Sequence, residues 1–144
     1  MRHRKVREIM SERSGRSLPS TATVREAILL MDRDNVGCVM VMEKTMLAGL
    51  FTERDLVRRV VAAGRDPDRT LLGEVMSREP DTIAPGASVD DVIRRMDEFG
   101  YQHLPVVEQG AVVGMVSLRD CSLDDLAAMA HELEDRRAIA ERAW

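Results

Sequence analysis

Two short segments hold the residue types from which chemistry can be built. Gly49-Leu50-Phe51-Thr52-Glu53-Arg54-Asp55 and Gly114-Met115-Val116-Ser117-Leu118-Arg119-Asp120 each bring a hydroxyl, a guanidinium and a carboxylate together within four residues. The carboxylate can accept both hydroxyls of a ribose, while Arg54 or Arg119 can pair with phosphate oxygens. A helix starting at the hydroxyl offers free amides and a positive dipole end suited to phosphate. The glycine six residues before each aspartate lets another group approach the chain closely. Such a set suits a nucleotide, with no group poised to cut it. The same residues also admit a plainer role. Thr52 with Asp55, and Ser117 with Asp120, are capping boxes at a strand-to-helix junction and could serve stability alone.

Other chemistries lack their residues. No Gly-x-Gly-x-x-Gly follows an expected strand, and neither a Walker lysine loop nor a Gly-x-Ser-x-Gly turn is present. His3, His103 and His131 are scattered and share no ligand spacing with Cys38 and Cys121, so no metal site is expected. Both thiols read as buried structural residues. Without a nucleophile, a carboxylate pair or a metal set, no catalytic residues are assigned and the chain is not expected to be an enzyme.

The elements that must position the two segments are themselves duplicated. Thr23-Val24-Arg25-Glu26-Ala27-Ile28 returns as Ser88-Val89-Asp90-Asp91-Val92-Ile93, 65 residues later. Met31-Asp32 returns as Met96-Asp97 and Val41 as Val106, without a gap from Leu18/Ile83 to Asp55/Asp120. One structural unit has been duplicated. In each copy a short apolar stretch, Ser17-Leu18-Pro19 or Thr82-Ile83-Ala84, precedes a helix. Thr23 with Glu26, and Ser88 with Asp91, predict capping boxes at the helix starts. Val24, Ala27, Ile28 and Met31, like Val89, Val92, Ile93 and Met96, recur at helical spacing and mark core faces. Two strands follow: Val39–Met42 turning at Glu43-Lys44-Thr45, and Leu104–Val107 turning at Glu108-Gln109-Gly110. Pro105 lacks an amide donor and points to the end or edge of its strand.

After Asp55 a further helix is expected, with Leu56, Val57, Val60 and Val61 on one face. Gly64-Arg65-Asp66-Pro67-Asp68 stops it and links the copies. The openings Val6–Ser11 and Leu72–Ser77 match each other at an offset of 66. Ser122 with Asp125 opens a last helix expected to reach about Trp144, with Leu126, Met129, Ala130, Leu133 and Ala140 roughly on one side and Arg136 and Arg137 off it. It is read as packing on its own domain or on a dimer mate, with a separate target protein as the other partner.

Composition sets the outer bounds. The 144 residues are 44% hydrophobic, 32% charged and 3% aromatic, so aliphatic residues and methionine must build the core of a globular protein. A copy of about 65 residues is marginal alone, and the two are expected to pack together. Net charge is -4, from 21 basic and 25 acidic residues, which argues against general nucleic-acid binding. The Arg2-His3-Arg4-Lys5 run reads as a solvated tail. No stretch reaches the roughly 18 apolar residues of a membrane span, no apolar signal region precedes the first helix, and a cytoplasmic location is expected.

These residues together resemble a tandem pair of CBS domains, the cystathionine-beta-synthase-type repeat also called a Bateman module. Gly49 to Asp55 and Gly114 to Asp120 carry the resemblance. The helices with Val-x-x-Ala-Ile and Val-x-x-Val-Ile, the strand His103-Leu104-Pro105-Val106-Val107, and the openings Arg7–Ser11 and Gly73–Ser77 support it. It covers roughly residues 6 to 125. The resemblance implies an α/β (α+β) fold of two βαββα repeats, 6–65 and 71–125, packed with pseudo-two-fold symmetry, with residues 122–144 as an added helix.

It further implies a non-catalytic regulatory module that requires no cofactor. Two clefts would bind an adenosine-containing effector: AMP, ADP, ATP, S-adenosylmethionine or an NAD-type dinucleotide. Asp55 with Thr52, and Asp120 with Ser117, would hold ribose. Main chain and apolar side chains would hold adenine, at Leu18, Ser20 and Thr21 with Val39 and Met40, and at Ile83 and Pro85 with Leu104 and Pro105. Copy two has Tyr101-Gln102-His103 where copy one has Val36-Gly37-Cys38. His103 can meet phosphate as a cation and Cys38 cannot, so unequal clefts are expected. A homodimer is the implied assembly. The alternative is a scaffold for protein partners that binds no nucleotide.

Overall fold

A computed structural model describes residues 4–12 and 16–142, with backbone alone at 12, 129, 132, 133, 136, 137 and 139–142. Arg2, His3 and Trp144 therefore lie outside the described residues, as do the side chains of Met129, Leu133, Arg136, Arg137 and Ala140. The elements run α1 (Val6–Ile9), β1 (Ser11–Glu12), β2 (Ser17–Pro19), α2 (Val24–Asp34), β3 (Cys38–Glu43), β4 (Met46–Thr52) and α3 (Glu53–Asp55). Copy two supplies α4 (Leu72–Val75), β5 (Ser77–Arg78), α5 (Val89–Phe99), β6 (His103–Glu108) and β7 (Ala111–Ser117), and α6 (Leu123–Arg142) follows. The mixed α+β architecture is the one the duplicated signals imply.

Each long helix starts where its hydroxyl residue stands. Thr23 Oγ1 accepts the Glu26 amide at 3.2 Å, and Glu26 Oε2 accepts the Thr23 amide at 3.0 Å, completing a capping box. Ser88 Oγ accepts the Asp91 amide at 3.1 Å, but the reciprocal half expected of Asp91 is missing. The shorter Asp91 carboxylate instead faces Arg94 at 3.6 Å and Arg95 at 3.4 Å. Asn35 (φ 52°) and Gly100 (φ 78°) end the two helices in the left-handed region.

The strands form two sheets, ordered β2-β3-β4-β5 and β1-β7-β6. The openings have changed places. β1, at the start of copy one, pairs antiparallel with β7 of copy two through Ser11–Met115 and Glu12–Gly114. β5, from the opening of copy two, pairs with β4 of copy one through Gly49–Arg78 and Leu50–Ser77. The cores follow the same exchange. Leu72, Val75 and Met76 pack with Val24, Ala27, Val39, Val41 and Phe51 of copy one. Val6 packs with Ile83, Val92, Met96, Leu104, Val106 and Val116 of copy two.

Alternation along β3 divides its side chains between two tasks. Val39 and Val41 face their own helices, while Cys38, Met40 and Met42 meet Leu50, Val112 and Met115 between the sheets. The apolar stretch Ser17–Pro19 forms β2, whereas its counterpart Thr82-Ile83-Ala84 makes one bridge, Ile83 to Val106. Pro105 stands in β6, the edge strand of its sheet, as its missing amide requires.

Beyond Asp55 the winding departs from expectation. Leu56–Val61 is a π turn, with the Ala62 amide reaching Val57 O at 2.8 Å and the Arg65 amide reaching Val60 O at 2.9 Å. The wider turn rotates Val57 and Val61 off the expected face. They are 60% and 66% exposed, whereas Val60 is fully buried. Of the last helix, Leu126 packs near Val89, Ile93 and Cys121 of its own copy, Ala130 is exposed, and Asp125 pairs with Arg4 at 2.6 Å. Among the described residues no helix is long and apolar enough to cross a membrane.

Candidate functional site

The two hydroxyl-to-aspartate turns sit where β4 and β7 end. Asp55 Oδ2 accepts the Thr52 amide at 3.0 Å and its hydroxyl at 3.1 Å, and Thr52 Oγ1 accepts the Asp55 amide at 3.2 Å. Asp120 Oδ2 accepts the Ser117 amide at 2.7 Å and its hydroxyl at 3.1 Å. Both motifs are therefore caps, and each cap spends only one carboxylate oxygen. The second oxygen separates the copies. Asp55 Oδ1 accepts the Ser77 hydroxyl at 2.9 Å and lies 3.5 Å from the Arg59 guanidinium, and the residue is only 5% exposed. Asp120 Oδ1 has no partner among the described residues. At the position matching Arg59 copy two carries Asp124, which removes the cation.

Each motif glycine is explained by the exchanged strands. A Cβ on Gly49 would stand 2.5 Å from Ser77 O and 2.8 Å from Met76 Sδ. One on Gly114 would press on Ser11 O and stand 3.2 Å from Met10 Sδ. The group that approaches closely is thus the backbone of β5 or β1.

Both aspartates open onto cavities that straddle the copies. The Asp55 cleft, about 550 Å³, is walled by Thr52, Glu53, Arg54 and Ser77 on one side and by Phe99, Tyr101, Gln102, His103 and Leu104 of copy two on the other. The Asp120 cleft, about 280 Å³, joins Ser117, Arg119 and Asp120 to Arg16, Asp34, Asn35, Val36, Gly37 and Cys38 of copy one. Only the first reaches the range of roughly 300 to 1,000 Å³ usual for small-molecule sites. Phe99 and Tyr101 stack with centroids 5.7 Å apart and planes 13° apart, and the Tyr101 hydroxyl donates to Asp81. Burial, with that aspartate, pushes the Tyr101 hydroxyl up to about 12. Copy one offers Asp34 and Val36 at the matching positions, so the clefts are unequal in shape and lining.

Of the residues expected to hold a ligand, Thr52, Arg54, Asp55, Gln102, His103 and Leu104 meet in the Asp55 cleft. Ser117, Arg119 and Asp120 meet in the other, where Gln102 and His103 appear again. Arg119 is already engaged, donating to Asn35 O at 3.3 Å. Leu104 apart, the expected adenine residues line neither cleft. Val39 and Ile83 are in the cores, Leu18 packs against the copy-one core, and Met40 lies between the sheets. The Ser20 backbone joins Met42 and Gly73, the Pro85 carbonyl accepts the Arg7 amide, Thr21 is exposed at a turn, and Pro105 is buried in β6. Sequence reasoning missed Ser77, Arg59, Phe99 and Arg16. The recurrence of Ser11 as Ser77 was a usable signal for the first.

His103 departs from its expected cationic role. Burial lowers its pKa below the ordinary 6.5, outweighing the pull of Glu53 and Asp120, so it is neutral at pH 7. An unfolded chain takes up this proton first as pH falls. Stability is therefore greatest above 6.5 and declines as pH drops through 6.5 towards the folded value. His103→Gln is expected to flatten that decline, seen as a smaller fall in urea midpoint between pH 7.5 and pH 5.5. An unaltered pH profile would show that another group governs it. Burial also pushes the Cys38 thiol to about 12 and the Cys121 thiol to about 11, which keeps both unreactive.

Fold and site define an internally two-fold module, its two carboxylate-bearing clefts each built from both copies. The CBS domain profile matches residues 6–62 and 72–122, and the chain belongs to the CBS domain family. It is 37% identical over 105 residues to the CBS domain-containing protein YhcV of Bacillus subtilis, covering 73% of this chain and 74% of that one. It is 30% identical over 135 residues to CBSCBSPB3 of Arabidopsis thaliana, covering 89% of this chain but only 24% of that longer protein. Among solved structures, the CBS domain protein PAE2072 of Pyrobaculum aerophilum complexed with AMP superposes with a TM-score of 0.77 at 26% identity, over 88% of this chain and 98% of that one.

Proposed function

We propose that this chain is a non-catalytic regulatory module that binds an adenosine-containing ligand between its two repeats and signals through their relative geometry. One observation carries the reading: each cleft takes its carboxylate from one copy and its facing wall from the other. A ligand that touches both walls binds one arrangement of the copies better than another, which is the requirement for a conformational signal. The AMP bound by PAE2072 supports an adenine nucleotide. The repeats take residues 6–65 and 71–125, and Asp55 with Thr52 and Asp120 with Ser117 act on the ribose. The module works in the cytoplasm, without a cofactor, as a homodimer whose second copy covers exposed Val57 and Val61, and a protein target reads its state. The buried, fully engaged Asp55 favours a second reading for its own cleft, that of a structural cap.

A thermal-melt panel of the purified protein with AMP, ADP, ATP, S-adenosylmethionine and NADH tests this. Ligand at 100 times its dissociation constant adds about 2.7 kcal/mol of stability. A rise in Tm with at least one ligand, lost in Asp55→Ala or Asp120→Ala, is expected. No rise with any of them would leave the scaffold reading in its place.

A further inference from the structure

The two clefts are not separate. Gly37, Glu53, Gln102 and His103 line both, so the cavities share one middle. Glu53 supplies the carboxylate of that shared wall. Its side chain is exposed, and no hydrogen bond or ion pair holds it among the described residues. Its Oε1 lies 2.5 Å from where a Cβ on Gly37 would stand, so the carboxylate reaches over Gly37 because no side chain grows there. The matching residue of copy two is Leu118, which leaves the charge on one side only.

The guanidiniums around this middle are unevenly shared: Arg16 and Arg119 line the Asp120 cleft, whereas the Asp55 cleft has Arg54. Arg59 is occupied by Asp55 and by Met76 O, the latter at 2.8 Å. Arg119 reaches Asn35 O, and His103 is neutral. Arg54 is the guanidinium lining the Asp55 cleft, against the carboxylates of Glu53, Asp55 and Asp81.

We infer that Glu53 selects ligands by charge. Resting on the adenosine reading above, the Asp55 cleft takes adenosyl compounds with one phosphate or a cationic end and rejects polyphosphates. With a base against Tyr101 and the ribose over the turn from Thr52 to Asp55, the space left for the 5′ end is bounded by Arg54 and the shared middle. One guanidinium balances one phosphate. Further phosphates meet the unpaired Glu53 carboxylate at close range, where like charges repel. A sulfonium in the same place is attracted to it.

Calorimetric titration of AMP, ATP and S-adenosylmethionine into the wild type and Glu53→Gln tests the inference. In the wild type, ATP is expected to bind about tenfold or more weakly than AMP. Glu53→Gln is expected to remove most of that gap and to weaken S-adenosylmethionine. Glu53→Leu, which copies the residue of the second repeat, should act alike. ATP binding the wild type as tightly as AMP, or an AMP-to-ATP ratio unchanged by either substitution, overturns the inference while leaving adenosine binding intact. No binding by any of the three overturns both.

Discussion

Gly49→Ala is expected to lower stability by about 3 kcal/mol, with Gly114→Ala close behind, although neither residue touches a ligand or a helix cap. The new methyl on residue 49 would collide with the Ser77 carbonyl and with Met76, whose side chain is 2% exposed. A carbonyl in a ladder cannot rotate away as a flexible side-chain tip can. β5 must therefore lift off β4, which loosens the Leu50–Ser77 pairing and withdraws the Ser77 hydroxyl from Asp55. At residue 114 the collision is with the Ser11 carbonyl, and the loss is the β1–β7 edge. Urea unfolding at constant m-value measures both. A midpoint matching the wild type for either variant would show that the exchanged edge contributes nothing to folding.

Asp55→Ala is expected to destabilise by about 3 kcal/mol, and Asp120→Ala by only about 1 kcal/mol. Both substitutions remove the carboxylate that accepts the cap residue's amide and hydroxyl. At position 55 the loss also strands a part-buried Ser77 hydroxyl and leaves the Arg59 guanidinium without its carboxylate. At position 120 the second oxygen has no partner among the described residues, so little more is lost. Denaturant curves for the two variants, with Ser77→Ala alongside, separate the contributions. Equal losses at 55 and 120 would show that Ser77 and Arg59 add nothing. Ligand titrations of Asp55→Ala accordingly need a temperature well below its lowered transition.

The order of elements was legible because the chain repeats it. An element inferred in one copy could be checked against its counterpart, as with the hairpins β3–β4 and β6–β7. Cap residues and core stripes were legible for the same reason. The exchange of β1 and β5 was not. Ser11 and Ser77 sit in near-identical contexts, and nothing local in a two-residue strand says which copy's edge it joins. The same blindness affected the site. Thr52, Asp55, Ser117 and Asp120 stood out by type and spacing, whereas the walls opposite them come from the other copy. Val39 and Met40, which the family resemblance implies for adenine, serve the core and the inter-sheet layer. The π turn escaped because Leu56, Val57, Val60 and Val61 satisfy the α period, and only the i→i+5 bonds show otherwise.

The traded edge strands bear on how such a chain could arise. A single copy carrying its own opening segment holds a strand it cannot use and lacks the one it needs. Two identical copies solve both problems by reciprocal donation, which closes a symmetric pair. Joining them in one chain replaces an encounter between molecules with one inside a molecule, at a high effective concentration that no longer depends on how much protein is present. Once joined, the halves need no longer be identical. Arg59 where the other copy has Asp124, Glu53 where it has Leu118, and Tyr101 where it has Val36 are divergences that a homodimer of single copies could not have held.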